Sequence, residues 1–341
     1  MQMTTSDRQK RILITGASGF IGGFLVKEAL QRGYEVWAAI RPGSSHEHLQ
    51  DERIRFIHLQ YEDKASMTKQ FQEIAYNVGA WHYVIHNAGL TKALHTKDFY
   101  LVNTHYTSVL VEALAKSGCM PDKFLLMSSL SSYGAAKDGL IRVNDEQRPD
   151  SVYGDSKRKA ELLLKAQSYF PYIILCPTGV YGPGDKDYLI EIKSIKAGFD
   201  FKTGMKPQHL TFIYVKDLAV TAFHALERSS VQNSTYLVAD GDVYTDQEFS
   251  EIVKKSLGKR RVFKMRIPMW ICFITCLCSE WAGKICKKAM TLNTDKYKIL
   301  RQRNWVCETE RTFRDLAFKP QYNLQEGIAE TILFSRENGL L

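Results

Sequence analysis

Long apolar runs, internal repeats and low-complexity tracts are all absent from the 341-residue sequence. Without an apolar stretch of ~18 residues, and with a mean hydropathy of -0.26, the chain is not a multi-span membrane protein. Hydrophobic residues make up 45% and charged residues 24%, which excludes a disordered chain, a collagen and a coiled coil. At roughly 150 residues per domain, the length predicts two domains or one large one.

The seven cysteines include no CxxC pair. Their number is odd, and four of them lie in one short apolar stretch with a spacing that fits no common zinc pattern: Cys272, Cys276, Cys278 and Cys286. We therefore expect buried, reduced thiols and no metal site, with zinc at these four cysteines as the alternative. Because no apolar segment precedes the first strand pattern, we expect a cytoplasmic protein without a secretory signal.

Basic residues outnumber acidic ones, 46 to 37, so the net charge is +9. This excess favours an anionic partner, such as a phosphorylated cofactor, a nucleic acid or an acidic lipid surface. The sequence has no basic–aromatic platform and no DNA-reading motif, so we expect no nucleic-acid partner. We assign the charge to an anionic cofactor and to the protein surface.

Strand and helix patterns alternate over the first 180 residues. We predict strands over 11–15, 34–40, 54–59, 81–86, 124–128 and 172–176, and helices over 20–32, 67–76, 99–116 and 151–168. Such alternation predicts an α/β fold, with a Rossmann-type doubly wound parallel sheet and helices on both faces.

The pattern weakens after about residue 182. It is helical over 189–198, strand-like over 212–215 and 235–238, and mostly helical and basic over the last hundred residues. We predict a dinucleotide-binding domain over residues 1–180 plus about 211–240. A smaller, mostly helical substrate-binding lobe would take residues 181–210 and 241–341, over the C-terminal edge of the sheet.

The first strand is followed by Gly16-Ala-Ser-Gly19-Phe-Ile-Gly22 and then by a helix. Gly16 permits a tight turn, Gly19 lets the backbone approach a pyrophosphate, and Gly22 lets the helix and strand pack closely. The helix points its free N–H groups at the anion. Strand, loop and helix in this order predict a dinucleotide site, in which we include Ser18, Phe20 and Ile21.

The end of the second strand lacks the acidic residue that usually holds a free ribose 2′-hydroxyl. Arg41 stands there instead, followed by Ser44 and Ser45, and no acid appears before Glu47. A guanidinium suits a 2′-phosphate dianion. We therefore favour NADP(H) as the cofactor, with NAD(H) as the alternative.

Tyr153 and Lys157 are four residues apart on a predicted helix, so their side chains share one face. A nearby ammonium stabilises a phenolate and lowers the tyrosine pKa from about 10, which suits a general acid/base for an alcohol or ketone. The spacing alone is common. Its context here is a fifth strand that ends in Ser128 and Ser129, at the edge where a substrate would lie.

Together these segments resemble the extended short-chain dehydrogenase/reductase family, in its NAD-dependent epimerase/dehydratase group. The matching segments cover residues 11–219 in family order: TGASGFIG (15–22), HNAGL (86–90), NTHYTSVLVEA (103–113), SSLSSYG (128–134), YGDSK (153–157), PTGVYGPGD (177–185) and FIYVKDLA (212–219). The C-terminal part matches only loosely, with residues 304–332 similar to the family's closing segment.

The resemblance implies roles for individual residues. Tyr153 would be the acid/base, Lys157 would hold the nicotinamide ribose and lower the tyrosine pKa, and Ser129 would hydrogen-bond the reacting oxygen. Asn103 would support the proton relay. The implied cofactor contacts are Ser128 beside the nicotinamide, Asn87, Ala88 and Gly89 over the diphosphate and ribose, and Pro177, Thr178, Gly179 and Val180 around the carboxamide.

The resemblance also implies a homodimer, because the helices over 99–116 and 151–168 are similar to those that pair in family dimers as a four-helix bundle. Each helix would need an outward apolar stripe. We expect Val109, Leu110 and Leu114 to contribute to it.

Two departures from the family pattern bear on the reaction. Family dehydratases carry Thr-Asp-Glu where this chain has Ser129-Leu130-Ser131, which argues against dehydration. Family epimerases often carry an arginine where this chain has Leu210, which argues against a sugar-nucleotide diphosphate, although His209 or Lys206 could replace that arginine.

An apolar segment over residues 266–282 lies between clusters of Lys and Arg. It is too short to span a bilayer. We favour a core helix of the small lobe, with an apolar lid or a peripheral membrane contact beside anionic headgroups as the alternatives.

The sequence supports three hypotheses. The first is an NADP(H)-dependent oxidoreductase for a secondary alcohol or ketone of a mid-sized, apolar substrate, similar to the family's hydroxysteroid-dehydrogenase-like and flavonoid-reductase-like branch. The second is a sugar-nucleotide epimerase with a retained cofactor. The third is a redox-sensing regulator, which Tyr153 and Lys157 argue against, since such sensors usually lose both residues.

Overall fold

A computed structural model of the protein describes residues 9–137, 139–167, 169–228 and 230–341. The described strands are β1 (Arg11–Thr15), β2 (Glu35–Ala39), β3 (Arg55–Ile57), β4 (Tyr83–His86), β5 (Lys123–Met127), β6 (Tyr172–Pro177), β7 (Gly179–Tyr181), β8 (Phe199–Thr203), β9 (His209–Leu210), β10 (Phe212–Tyr214), β11 (Ser234–Val238), β12 (Tyr244–Thr245), β13 (Phe263–Ile267) and β14 (Asn304–Trp305).

The described α-helices are α1 (Phe20–Gln31), α2 (Lys64–Asn77), α3 (Thr96–Phe99), α4 (Tyr106–Ser117), α5 (Val152–Ala166), α6 (Asp187–Lys196), α7 (Val215–Glu227), α8 (Asp246–Ser256), α9 (Met269–Ile285), α10 (Thr294–Leu300), α11 (Glu310–Leu316) and α12 (Leu324–Glu337). A π-helical segment, Tyr100–His105, joins α3 to α4.

Seven strands form one sheet in the order β3-β2-β1-β4-β5-β6-β11, and every neighbouring pair is parallel. The chain moves outward from β1 to β3, returns to the centre, and moves outward again from β4. This confirms the predicted α/β fold with a doubly wound sheet. The strand order reverses between β1 and β4, which opens a crevice at the carboxyl ends of the strands, where such sheets bind ligands.

The sheet is buried on both faces, as expected for apolar parallel strands. In β1, Ile12 and Ile14 join the core that contains α1 and α7, whereas Leu13 joins the core that contains α2, α4 and α5. Successive side chains of a strand point to opposite faces, so one apolar strand supplies both cores.

The remaining strands form three small sheets: β7 with β10, β8 with β13, and β9 between β12 and β14. A third core lies among them and the helices α6, α8 and α12, with Phe212, Phe249 and Ile328 fully buried. Since β7 directly follows β6, this part of the chain lies beside the carboxyl edge of the main sheet.

The predicted helix over 67–76 begins earlier, at Lys64. The carboxylate of Asp63 accepts hydrogen bonds from the backbone N–H groups of Ala65 and Ser66, which caps the helix.

The predicted helix over 99–116 is interrupted by the π-helical segment. Such segments are rare and occur mostly at functional sites.

The predicted outward stripe on the helix over 99–116 is wrong. Val109, Leu110 and Leu114 are buried in the core on one face of the main sheet. Their spacing places them on the side of α4 that packs against the strands, so the outer face consists of other residues.

The prediction of a core helix for residues 266–282 is also wrong. The segment contains the last two residues of β13 and most of α9. In α9, only Cys272, Cys276 and Gly283 are buried. The helix turns its small residues toward the protein and its large apolar side chains outward. Cys278 and Cys286 are exposed, unlike the buried thiols that the sequence predicted.

No helix within the described ranges is long and apolar enough to cross a membrane. Among the same residues, no group of three or more His, Cys, Asp and Glu side chains is arranged to hold a metal ion.

Candidate active site

A cleft of about 2330 Å³ opens at the carboxyl ends of the central strands. A typical small-molecule site has a volume of about 300–1,000 Å³, so this cleft has room for a dinucleotide and a second molecule. Sixteen of the predicted site residues line it: Gly16, Ser18, Gly19, Phe20, Ile21, Arg41, Asn87, Ala88, Gly89, Ser128, Ser129, Tyr153, Pro177, Thr178, Gly179 and Val180. Gly22, Asn103 and Lys157 are buried behind its wall.

In the glycine-rich loop after β1, two glycines leave no room for a side chain. Gly16 has a φ of +66°, and a Cβ on it would lie 2.8 Å from the Cα of Ala88. A Cβ on Gly22 would overlap the carbonyl oxygen of Gly16. The loop therefore packs directly against α1 and against the segment after β4, which is the close packing that the sequence predicted.

Helix α1 begins directly after this loop. Among the described side chains, none caps its first N–H groups, and its first turn contains no acidic residue. Free N–H groups at a helix start carry partial positive charge and bind phosphate. The loop and the start of α1 therefore fit the diphosphate of a dinucleotide.

The loop after β2 lines the same side of the cleft with Arg41, Ser44 and Ser45. Arg41 is exposed. The acidic residue Asp51, further along this loop, forms an ion pair with Arg53 at 2.7 Å. Asp51 thus pairs with Arg53, and Arg41 is the first basic side chain on the cleft wall after β2.

A buried hydrogen-bond chain supports the segment after β4. The backbone N–H of Ala88 donates to Thr15 Oγ1, at 3.1 Å, and Thr15 Oγ1 lies 2.8 Å from His86 Nδ1. On the other side of the ring, His86 Nε2 lies 3.0 Å from Thr107 Oγ1, which donates to the carbonyl of Asn103. Burial and the charge of Lys157 lower the pKa of His86 to about 3, so the imidazole is neutral.

Asn103 lies in the π-helical segment and is buried. Its Oδ1 accepts from the backbone N–H of Leu90 at 2.7 Å. Its Nδ2 donates to the carbonyl of Leu90 and to Ser156 Oγ. The side chain thus fastens the segment after β4 to helix α5, which carries Tyr153 and Lys157.

Lys157 lies beneath this segment. Its ammonium donates to the carbonyl of Met127 at 2.9 Å, and a Cβ on Gly89 would lie 3.0 Å from both Lys157 Nζ and Asn103 Oδ1. A side chain at position 89 would therefore press on both groups. Burial lowers the pKa of Lys157 to about 8, opposed by the nearby charge of Glu161.

Burial raises the pKa of Tyr153, and the neighbouring Ser129 hydroxyl lowers it by less, so the net direction is upward. The sequence predicted a lowering by Lys157. The structure shows the opposite direction because the phenol is desolvated. The Lys157 ammonium donates instead to the Met127 carbonyl. Ser129 and Tyr153 are thus adjacent on the cleft wall, with Lys157 behind them.

Residues 12–239 match the NAD dependent epimerase/dehydratase family, over about two-thirds of the chain. The chain belongs to this family. The predicted family resemblance is therefore confirmed.

Relatives of this chain have different activities, and the first two described here match it over nearly the full length. A UDP-glucose 4-epimerase of Vibrio cholerae is 27% identical over 348 residues, covering 96% of this chain and 97% of the relative. A 3-beta-hydroxysteroid dehydrogenase of Mycolicibacterium neoaurum is 24% identical over 347 residues, covering 94% and 90%. A ceramide reductase of Caulobacter vibrioides is 28% identical over 184 residues, covering 54% of this chain and 50% of the relative.

Among solved structures, the enzyme WbmG of Bordetella bronchiseptica in complex with NAD superimposes with a TM-score of 0.78 and 19% identity. The match covers 99% of this chain and 97% of the other. This similarity supports the fold over the whole length of this chain.

Two acidic residues at or near the cleft of this protein were not predicted from the sequence. Asp295, in α10, lines the cleft, and its carboxylate accepts from the backbone N–H groups of Val152 and Tyr153 at 2.7 and 3.1 Å. A negative charge at a helix start stabilises the helix. Nothing in the sequence indicates this contact, which joins positions 142 and 143 residues apart.

Glu161 is fully buried in α5 and lies one turn beyond Lys157. It accepts hydrogen bonds from Ser128 Oγ and, at 2.7 Å, from Gln147 Nε2. The spacing of four residues from Lys157 and eight from Tyr153 was the signal that could have identified it.

On the substrate side of the cleft, leucines stand at two of the positions compared with the family pattern, and Ser131 stands at a third. Leu130 and Leu210 both line it. His209 and Lys206, which the sequence offered as substitutes for the missing arginine, are exposed and lie outside the cleft lining. Asp185 lines the same side, and burial raises its pKa to about 6.

Proposed function

We propose that the protein is an NADP(H)-dependent oxidoreductase that interconverts a ketone and a secondary alcohol of a mid-sized, largely apolar substrate. The observation that carries this proposal is the Ser129–Tyr153 pair on the cleft wall, with Lys157 behind it and the glycine-rich loop beside it. This combination supplies a proton donor next to a dinucleotide site.

The bound nicotinamide dinucleotide supplies the hydride. Tyr153 gives its proton to the substrate oxygen during reduction, and Ser129 donates a hydrogen bond to the same oxygen. The raised pKa of Tyr153 keeps the phenol protonated at neutral pH, as a general acid requires. Lys157, with a pKa of about 8, is largely protonated at pH 7, and its ammonium donates to the Met127 carbonyl behind the Ser129–Tyr153 pair.

The proposed substrate class follows from the cleft lining and from the relatives. At the three positions where related dehydratases and epimerases carry acidic or basic groups, this chain has Leu130, Ser131 and Leu210, so the wall offers no charge there and apolar contact at two of the three. The hydroxysteroid dehydrogenase and the ceramide reductase are named for substrates with large apolar parts. These observations support an apolar alcohol or ketone.

Arg41 supports NADP(H) as the preferred cofactor. Its guanidinium is exposed at the end of β2, with Ser44 and Ser45 beside it along the cleft. A guanidinium binds a phosphate through charge-assisted hydrogen bonds. A 2′-phosphate at this position would therefore gain affinity over a free 2′-hydroxyl.

A sugar-nucleotide epimerase is the second candidate. It is favoured by the similarity to the Vibrio cholerae epimerase, which covers nearly the full length of both chains. An epimerase oxidises and then reduces the same carbon, so it retains its cofactor through the cycle.

The two candidates differ in what the purified protein holds. We would purify the protein without added cofactor, denature it, and assay the supernatant for NAD(H) and NADP(H). An oxidoreductase should release little cofactor, bind NADPH reversibly, and oxidise NADPH with ketones from a panel that includes a keto-steroid and an oxidised ceramide. Near-stoichiometric release of NAD, together with epimerisation of UDP-glucose, would establish the second candidate.

We also propose a homodimer through the outer faces of the π-helical segment and α5. Leu101 and Leu162 are exposed there, at 44% and 46%. Light scattering after size-exclusion chromatography should give the mass of two chains, and Leu101→Asp with Leu162→Asp should give one. A monomeric wild-type protein would contradict this proposal.

A further inference from the structure

Helix α9 carries an apolar stripe on its solvent side. Trp270, Ile274, Leu277, Trp281 and Ile285 recur every three or four residues, so they fall on one face of the helix, and all five are exposed. Trp270 and Trp281 are 65% and 68% exposed. An ordinary surface helix places such a stripe against the core.

The opposite face of α9 is firmly attached to the protein. Cys272, Cys276 and Gly283 are buried there, and a Cβ on Gly283 would lie 2.7 Å from the carbonyl oxygen of Lys288. The ring of Phe273 lies 5.1 Å from that of Tyr297 in α10. Glu280 accepts a hydrogen bond from Thr294 Oγ1 at 2.6 Å. The helix is therefore held with its apolar stripe outward.

A second apolar surface continues from the cleft. In the ribbon of β8 and β13, Phe199 pairs with Phe263 and Phe201 pairs with Met265, and all four side chains are exposed. Phe199 and Phe201 also line the mouth of the cleft. The loop after β8 brings this ribbon to the start of α9, because a Cβ on Gly204 would lie 3.2 Å from Met269 Sδ.

The charge of the protein is concentrated at the same place. Residues 254–288, which we call the α9 region, contain ten Lys or Arg and one acidic residue, a net charge of +9. The whole chain has the same net charge, so the other residues balance at 36 basic and 36 acidic. Six of the basic side chains form no ion pair with any described acidic residue: Lys255, Lys259, Arg260, Arg261, Lys287 and Lys288.

We propose that the α9 stripe and the exposed face of β8 and β13 dock on a membrane surface that contains anionic lipid. An exposed apolar helix face with tryptophans and flanking Lys and Arg is the chemistry of a helix that lies in the membrane interface. The positive charge complements anionic headgroups. Because Phe199 and Phe201 also line the cleft mouth, a substrate with an apolar chain enters from the membrane; this last step rests on the proposed function.

The test is co-sedimentation with phosphatidylcholine vesicles that contain or lack phosphatidylglycerol. The wild-type protein should bind the anionic vesicles, release them partly at high salt, and shift its tryptophan emission to shorter wavelength. Trp270→Glu combined with Trp281→Glu should weaken binding at least ~10-fold. Tyr76→Glu is the matched control, since Tyr76 is a 91% exposed aromatic residue in α2 and should bind as wild type does.

A charge-reversal variant, Lys287→Glu with Lys288→Glu, should bind vesicles that contain phosphatidylglycerol less tightly than the wild type does. Its interaction with vesicles that lack phosphatidylglycerol should not change. The proposal is overturned if the wild-type protein fails to bind anionic vesicles at low salt, or if the double tryptophan variant binds as wild type does. It is also overturned if the wild-type protein ignores vesicles and forms a dimer that the tryptophan variant abolishes, because a second copy then covers the stripe. Vesicle binding needs no turnover, so it is independent of whether the protein reduces ketones.

Discussion

The seven-stranded sheet and the α9 region place the same apolar residue types in opposite environments. In β1, Ile12, Leu13 and Ile14 are fully buried between two layers of helices. In α9, the large apolar side chains face solvent, and the small ones face the protein. Outside the α9 region the chain has 36 basic and 36 acidic residues, so the α9 region has the entire net charge. A hydrophobic run therefore indicates a core only where a neighbouring element covers it.

The largest expected difference between these regions is in stability. Leu114→Ala, within the core beside the sheet, should lower the free energy of unfolding by about 2–5 kcal/mol, because it leaves a cavity. Leu277→Ala, on the exposed stripe of α9, should change it by no more than about 0.5 kcal/mol. Urea unfolding measures both. Equal losses would show that the α9 stripe is covered in solution.

The next largest expected effect is on turnover, and it distinguishes catalysis in the cleft from membrane docking by the α9 region. Tyr153→Phe should lower turnover by ~10²-fold or more, since it removes the proton donor, while cofactor affinity changes little. Trp270→Glu in the α9 region should leave turnover unchanged on a water-soluble ketone. Steady-state kinetics and NADPH fluorescence titration distinguish the two variants. Wild-type turnover in Tyr153→Phe would remove Tyr153 from the proposed site.

Two glycines in the sheet region have similar backbone angles and different surroundings. Gly16 and Gly33 have φ values of +66° and +79°, but a Cβ on Gly33 has no atom within 4 Å among the described residues. Gly33→Ala should cost about 1–2 kcal/mol of stability, and Gly16→Ala should cost more, because its Cβ would also clash with the backbone of Ala88. Only Gly16→Ala should also weaken dinucleotide binding, by at least ~10-fold, as measured by isothermal titration calorimetry. Equal binding by both variants would contradict the proposed diphosphate site.

A smaller effect concerns the choice between cofactors. Arg41→Ala should weaken NADP(H) binding by ~10-fold, or about 1.4 kcal/mol, because it removes a charge-assisted hydrogen bond to the 2′-phosphate. NAD(H) binding should barely change. Arg53→Ala is the control in the same loop, since Arg53 is held by Asp51. NAD(H) binding as tight as NADP(H) binding, unaffected by Arg41→Ala, would exclude the proposed preference.

The last comparison is a pH dependence. The pKa of Lys157 is lowered from 10.5 to about 8 in the folded protein by burial. Between these values the unfolded chain binds more protons at this position, so the contribution of Lys157 to stability increases as pH rises through that window. The difference in unfolding free energy between wild type and Lys157→Met should therefore shift in favour of the wild type from about pH 8 to pH 10.5. A difference that is constant with pH would show that Lys157 titrates normally.

Much of the site could be predicted because short local patterns determine it. The strand, glycine loop and helix are contiguous, so residues 11–31 were identifiable from spacing alone. Tyr153 and Lys157 share a helix face for the same reason. Asp295 could not be predicted, because its contact with the start of α5 depends on how α10 packs, and no local pattern encodes that packing.

The electrostatics of the site were predicted less well than its residues. An ammonium near Tyr153 led to the prediction of a lowered pKa, but desolvation has the larger effect and the net shift is upward. Desolvation depends on the depth of a group in the fold. Sequence spacing contains no such information.

The sequence by itself determined the alternation of strands and helices in an α/β fold, the glycine-rich loop, the helix that presents Tyr153 and Lys157, and the total charge. These depend on residue types at short spacing. Only the tertiary structure decided that Val109, Leu110 and Leu114 face the sheet and that the apolar stripe of α9 faces outward. A helix has two sides, and the neighbours that pack against it select which side is buried.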